Sequence, residues 1–114
     1  MAKKPPFEAI HRHGFVRAAA ATPPASAGDT GFNTGQTIAL AREAHERGVD
    51  LVVYPELNLS SYAIDDLLLQ DAFLDGVERG LADVCAATER LSPVLVVGLP
   101  VRRNGRLYNC AAVL

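Results

Sequence analysis

The run Leu51-Val52-Val53-Tyr54 constrains this chain more than any other feature. It is apolar at four consecutive positions, and Pro55 follows at once. A strand that is apolar on both faces belongs in a parallel sheet, covered from both sides. Pro55 has no N–H to give to a ladder, so the strand must end there. Just upstream, Gly48 is a natural stop for a helix. Residues 36–47 supply that helix: Ile38, Ala41 and His45 fall on one side, with Leu40 and Ala44 beside them. Asn33 or Thr34 is placed to cap it. A short strand over residues 15–21 precedes it, followed by a loop rich in Pro, Ser, Gly and Thr over 22–35. Strand, helix and strand in that order make a βαβ unit, the mark of an α/β fold.

The rest of the chain extends this unit. Residues 66–91 carry Phe73, Val77, Leu81, Val84 and Thr88 at helical spacing, while Gly76 and Gly80 predict a kink or two helices. Residues 94–99 are a further apolar strand. Asn104-Gly105 is a strong two-residue hairpin signal, which makes 107–114 the returning strand. Both faces of that strand are largely apolar, so it too is expected to be covered on both sides. Two helices cannot cover both faces of a four-stranded sheet, and the chain stops inside an apolar strand. The expectation is a flexible arm over 1–13, then 14–114 as the N-terminal portion of a larger domain, cut at its C-terminal side.

Composition narrows the function. Hydrophobic residues make up 49% of the 114 residues and charged residues 21%, the balance of a globular protein. The net charge is −2 and no basic cluster outlasts Lys3-Lys4 or Arg102-Arg103, which argues against nucleic acid and anionic membranes as partners. No apolar run is long enough to span a membrane or to serve as a signal peptide, so a cytoplasmic location is expected. Cys85 and Cys110 are the two cysteines, and they form no CxxC pair; both are expected to be packing residues, and no metal site is expected.

The residue placed for chemistry is Glu56. It stands just past the carboxyl end of a buried parallel strand, the edge where open α/β sheets bind ligands. Beside an apolar wall it could act as a base. Taken alone, the position reads as a solvated loop carboxylate, since most Glu residues after strands carry no chemistry. The remaining candidates are weaker: His11 and His13 are two apart in the arm, and Asp71 and Asp75 share a helix face without a third ligand. Both pairs read as polar surface. Tyr62 on its own reads as an aromatic packing the loop.

Tyr54-Pro55-Glu56-Leu57-Asn58-Leu59-Ser60-Ser61-Tyr62 resembles the nitrilase-superfamily (carbon–nitrogen hydrolase) motif, in which an apolar strand runs into Pro-Glu and then a Gly-Tyr pair. Ala63-Ile64-Asp65-Asp66-Leu67-Leu68-Leu69 resembles the Asp-Leu-Leu-Leu stretch of glutamine-dependent NAD synthetases. His13-Gly14-Phe15-Val16-Arg17 is similar to the opening of their larger bacterial members, and Asn104-Gly105 with Leu107-Tyr108-Asn109 to their hairpin and Tyr-Asn strand. Two departures stand out. Ser61 occupies the usual Gly position, which strains the backbone if φ is positive there. Ala63-Ile64 replaces the usual Pro pair.

The resemblance implies an α/β fold that forms part of a nitrilase-type α-β-β-α sandwich. It implies that Glu56 is the general base of a Glu-Lys-Cys triad and that Tyr62 is a substrate-binding residue. The triad's Lys and Cys lie beyond Leu114 in the family pattern; Lys3, Lys4 and Cys110 do not stand in for them. It further implies glutamine as substrate, a homo-oligomer, and a C-terminal synthetase domain using ATP and Mg that turns nicotinic acid adenine dinucleotide into NAD. No cofactor is expected in this segment, and the segment alone is expected to be inactive. The competing expectations are a truncated stand-alone nitrilase-type amidase and a non-catalytic interaction module.

Overall fold

The computed structural model describes residues 2–114. Four strands form one sheet in the order β1 (Ala18–Ala20), β2 (Leu51–Val53), β3 (Val94–Arg103), β4 (Arg106–Val113). The first two pairings are parallel and the third is antiparallel. Between β1 and β2 lies α1 (Thr30–Glu46); between β2 and β3 lies α2 (Asp71–Thr88). The βαβ unit, the following helix and the hairpin are therefore all present. Among the described residues no helix is long and apolar enough to cross a membrane.

One face of the sheet holds the core. Val52, Leu95, Val97 and Leu99 are at most 1% exposed and pack with Ala41 and Ala44 of α1 and Val77 and Val84 of α2. The register puts the alternate residues Val53, Val96 and Val113 in one row on the opposite face. There Val53 is 43% and Val113 69% exposed. Within the described residues only one face of β2 and β4 is covered. Both helices lie on one side, and β4, at the sheet edge, has only Cys110 and Ala112 packed against the core.

The helices differ from expectation in instructive ways. α1 begins at Thr30, six residues before the predicted start, and its cap is Asp29, whose carboxylate accepts from the Phe32 N–H at 2.9 Å. Asn33 and Thr34 lie buried inside the helix. Asn33 spends its side chain on Ser26 and on the Leu59 carbonyl, so tertiary bonds override the Gly-rich, poorly helical sequence. His45 is exposed and bonds Ser92 through Nδ1, off the core stripe where its spacing had put it. α1 stops at Gly48, φ +68, as expected.

α2 is one helix, shorter than predicted because Asp65–Leu69 forms a separate 3₁₀ turn. Its glycines serve close packing and no break occurs: a Cβ on Gly80 would lie 2.5 Å from Thr34 Oγ1 of α1. Cys85 is exposed on α2, contrary to its expected packing role. β3 runs four residues further than its apolar stretch and carries Arg102 to α2. There its guanidinium pairs with Asp71 and, at 2.9 Å, with Asp75, so these two carboxylates are ion-paired and not merely solvated. The hairpin turns on Asn104 (φ +51) and Gly105 (φ +72), with Arg103 opposite Arg106, as the Asn-Gly signal predicts.

Candidate active site

The site forms where the chain leaves β2. Tyr54 still donates its N–H to the Val96 carbonyl at 2.9 Å, and its buried hydroxyl donates to the Thr37 carbonyl of α1 at 2.8 Å. Burial pushes the Tyr54 pKa up to about 12. Pro55 then ends the ladder and the backbone turns across β3. Gly98 is the notch that admits it. A Cβ at Gly98 would lie 2.4 Å from the Pro55 carbonyl oxygen and 2.7 Å from the Leu57 nitrogen. Only a glycine lets the residues on either side of Glu56 lie this close to the sheet.

The turn is bent as well as pinned. Leu57 has φ +50, Ser61 φ +68 and Asp65 φ +42, all in the left-handed region that L-residues avoid. Ser61 therefore does stand where a positive φ is required. Strained residues persist only where their surroundings over-determine them. Here a buried polar network does that. Asn58 donates to Thr37 Oγ1 at 2.7 Å, Thr37 donates to the Asn33 carbonyl at 2.8 Å, Asn33 donates to the Leu59 carbonyl at 3.2 Å, and the Leu59 N–H donates to the Gly98 carbonyl at 3.1 Å. The loop is tied to α1 on one side and to β3 on the other.

Glu56 projects from this turn, exposed at a cleft of about 490 Å³. Tyr62, Asp65 and Leu68 form one wall; Pro100, Leu107, Tyr108 and Asn109 of the hairpin form the other. Tyr62 is 72% exposed, so it lines the cleft and does not pack the loop interior. Asn109 Nδ2 donates a hydrogen bond to Glu56 Oε1, 53 positions away in sequence. No Lys or Arg lines the cleft. What the arrangement offers chemically is a carboxylate held in a defined place, next to a volume suited to a small polar substrate.

The sequence singled out Glu56 and Tyr62, which line one cleft, but not Gly98, Asn109 or the Asn33–Thr37–Asn58 network around them. The signal for Gly98 was present: a glycine inside an apolar strand marks a close backbone approach. The other candidates lie elsewhere. His11 Nε2 bonds Asp50 at 2.7 and 2.8 Å, and His13 Nε2 bonds the Phe7 carbonyl at 2.7 Å. Cys110 is half-buried against the core on the helix side, whereas Gly98 and Asn109 share the other face. Among the described residues no three His, Cys, Asp or Glu converge as metal ligands.

Known proteins resemble this chain over most of its length. Residues 17–114 match the family model of the carbon-nitrogen hydrolases. The glutamine-dependent NAD(+) synthetase of Mycobacterium tuberculosis is 46% identical over 108 residues, 95% of this chain and 16% of that protein. The one of Xylella fastidiosa is 39% identical over 101 residues, 88% of this chain and 18% of that protein. Among solved structures, glutamine-dependent NAD(+) synthetase from Cytophaga hutchinsonii superposes with a TM-score of 0.80 over 87% of this chain and 17% of its own; at 24% identity this likeness speaks to the fold. The Acinetobacter baumannii synthetase, solved in complex with adenosine diphosphate, gives 0.77 at 30% identity over 85% of this chain and 18% of its own. The chain thus spans less than a fifth of the length of these relatives. With 98 of its 114 residues inside the matched region, and with a nitrilase-type α/β fold, the chain belongs to the carbon–nitrogen hydrolase family.

Proposed function

We propose that residues 14–114 are the opening part of a glutaminase domain, preceded by the 1–13 arm, with Glu56 as the general base of a Glu-Lys-Cys triad. The observation that carries this reading is the place of Glu56, pinned between a glycine notch and Asn109 at the carboxyl end of β2 and opening on a cleft. The names of the curated relatives supply the substrate, glutamine, and Tyr62 on the cleft wall is its binding residue.

In this reading Glu56 accepts the proton of the triad cysteine. The thiolate attacks the side-chain amide carbon of glutamine, the triad lysine stabilises the oxyanion, and ammonia leaves. Water then hydrolyses the thioester. Both triad partners lie outside these 114 residues, so the isolated segment hydrolyses no glutamine. The ammonia passes to a synthetase domain that amidates nicotinic acid adenine dinucleotide to NAD. ATP and its Mg belong to that domain; this segment needs no cofactor. A cytoplasmic homo-oligomer, with neither nucleic acid nor membrane as partner, completes the proposal.

The test uses the enzyme that carries this segment. Glu56→Gln should lower glutamine-dependent NAD formation by about 10²–10⁴-fold, the usual worth of a general base. NAD formation from free ammonium should stay within twofold, because it bypasses the glutaminase. Full glutamine-dependent activity in Glu56→Gln would refute the assignment.

A further inference from the structure

We propose that Asn109 is the positioning residue for Glu56: its side-chain amide occupies Oε1 and leaves Oε2 as the oxygen that takes the thiol proton. The inference rests on the reading of Glu56 as general base. Three observations carry it. The amide of Asn109 donates to Oε1 directly. Asn109 sits on β4 opposite Pro100 of β3, and Gly98 of the same β3 fixes the backbone around Glu56. The carboxylate and its main chain are therefore referenced to one hairpin. Finally, Asn109 is exposed in this segment and lines the same cleft as Glu56.

The chemistry suits a neutral donor. A long flexible carboxylate at a cleft mouth samples several rotamers, and only some of them reach the proton to be moved. One hydrogen bond from a rigid strand removes that freedom without adding a charge. During the transfer the S–H bond breaks, its electron pair stays on sulfur, and the O–H bond forms on Oε2. Oε1 keeps the Asn109 hydrogen bond throughout. The return of the proton to the leaving nitrogen then starts from the same geometry.

Two measurements test this. In the glutamine-hydrolysing enzyme carrying the segment, Asn109→Leu should lower kcat by about 10–100-fold, the usual cost of misplacing a reacting group. KM for glutamine should stay within about twofold, and the thermal midpoint should be unchanged. Asn109→Asp keeps the shape but sets a second carboxylate against Glu56, so it should cost more than Asn109→Leu. Adding Asn109→Leu to Glu56→Gln should cost nothing further. A wild-type kcat in Asn109→Leu, with Glu56→Gln inactive, overturns the role of Asn109 and leaves Glu56 as base. An active Glu56→Gln enzyme takes both readings down. In the 114-residue chain itself, the NMR signals of the Asn109 side-chain amide should move as Glu56 is protonated. They should lose that response in Glu56→Gln. An amide indifferent to Glu56 overturns the contact.

Discussion

The two ends of the parallel strands are built on opposite terms. At the amino end of β2, Asp50 is surrounded by partners. It accepts from the Arg17 N–H at 2.7 Å and from His11, while Arg17 Nη1 donates to the Arg47 carbonyl at 2.9 Å. The Arg17 N–H first, and His11 second, hold the Asp50 carboxyl below its usual range. No non-glycine backbone there has a positive φ. At the carboxyl end, three non-glycine residues between 57 and 65 do, and a glycine notch and a buried amide network keep them there. The amino end is a satisfied closure. The carboxyl end holds strain next to a carboxylate that opens on a cleft. A carboxylate whose bonding is already filled stabilises the fold; one held by a single neutral donor keeps an oxygen for chemistry.

The largest way to break this contrast is Gly98→Ala. Its Cβ meets backbone, not a side chain that can move, so a loss of about 3 kcal/mol is expected, the upper range for overpacking, read as a lower urea midpoint. The NMR signals of residues 55–59 should shift with it. A neutral Gly98→Ala would mean that the turn is not pinned.

Next comes the alkaline limb. Tyr54 keeps its proton to about 12 in the fold, against 10.0 for an ordinary tyrosine. The folded state therefore binds the extra proton between those values, and stability must fall as pH rises from 10 to 12. The loss is roughly 2–3 kcal/mol, fully absent below pH 10. Tyr54→Phe should remove this fall in a pH series of denaturation curves.

Ser61→Gly should act in the other direction. Relieving φ +68 is worth about 0.5–1 kcal/mol of added stability after the entropy of the unfolded glycine is counted. A destabilised Ser61→Gly would show that the side chain earns its place by a contact.

The smallest effect belongs to the amino end. Asp50→Asn should cost little, since His11 is exposed and Asp50 only half-buried. Because the folded carboxyl is held low, its contribution is present above pH 3.8 and fades as pH falls, so wild-type and variant curves should converge in acid. If Asp50→Asn costs more than Gly98→Ala, the contrast between the ends is wrong.

Much of the fold was legible because it rests on local pattern. The Leu51–Val53 strand, its stop at Pro55, the end of α1 at Gly48 and the Asn104-Gly105 turn all follow from what one or two residues can do with their backbone. The start of α1 was not legible. Its first turn is held by bonds from Asn33 to Ser26, seven residues back, and to Leu59, 26 residues on, and the second lies outside any local window. The ion pairs of Asp71 and Asp75 were hidden for the same reason, since Arg102 is 27 or more residues away.

The candidate site divides along the same line. The carboxylate after a buried strand, the turn at Pro55 and, through resemblance, the family to expect can all be read along the chain. Those depend on neighbours in the chain. Packing added the rest: Gly98 admits the turn, Ser61 and Leu57 are strained, the sheet has one covered and one open face, and Asn109 reaches Glu56. Each of these is a distance between residues far apart in sequence. Such distances are set by strand register and helix packing, which appear only once the chain has closed on itself.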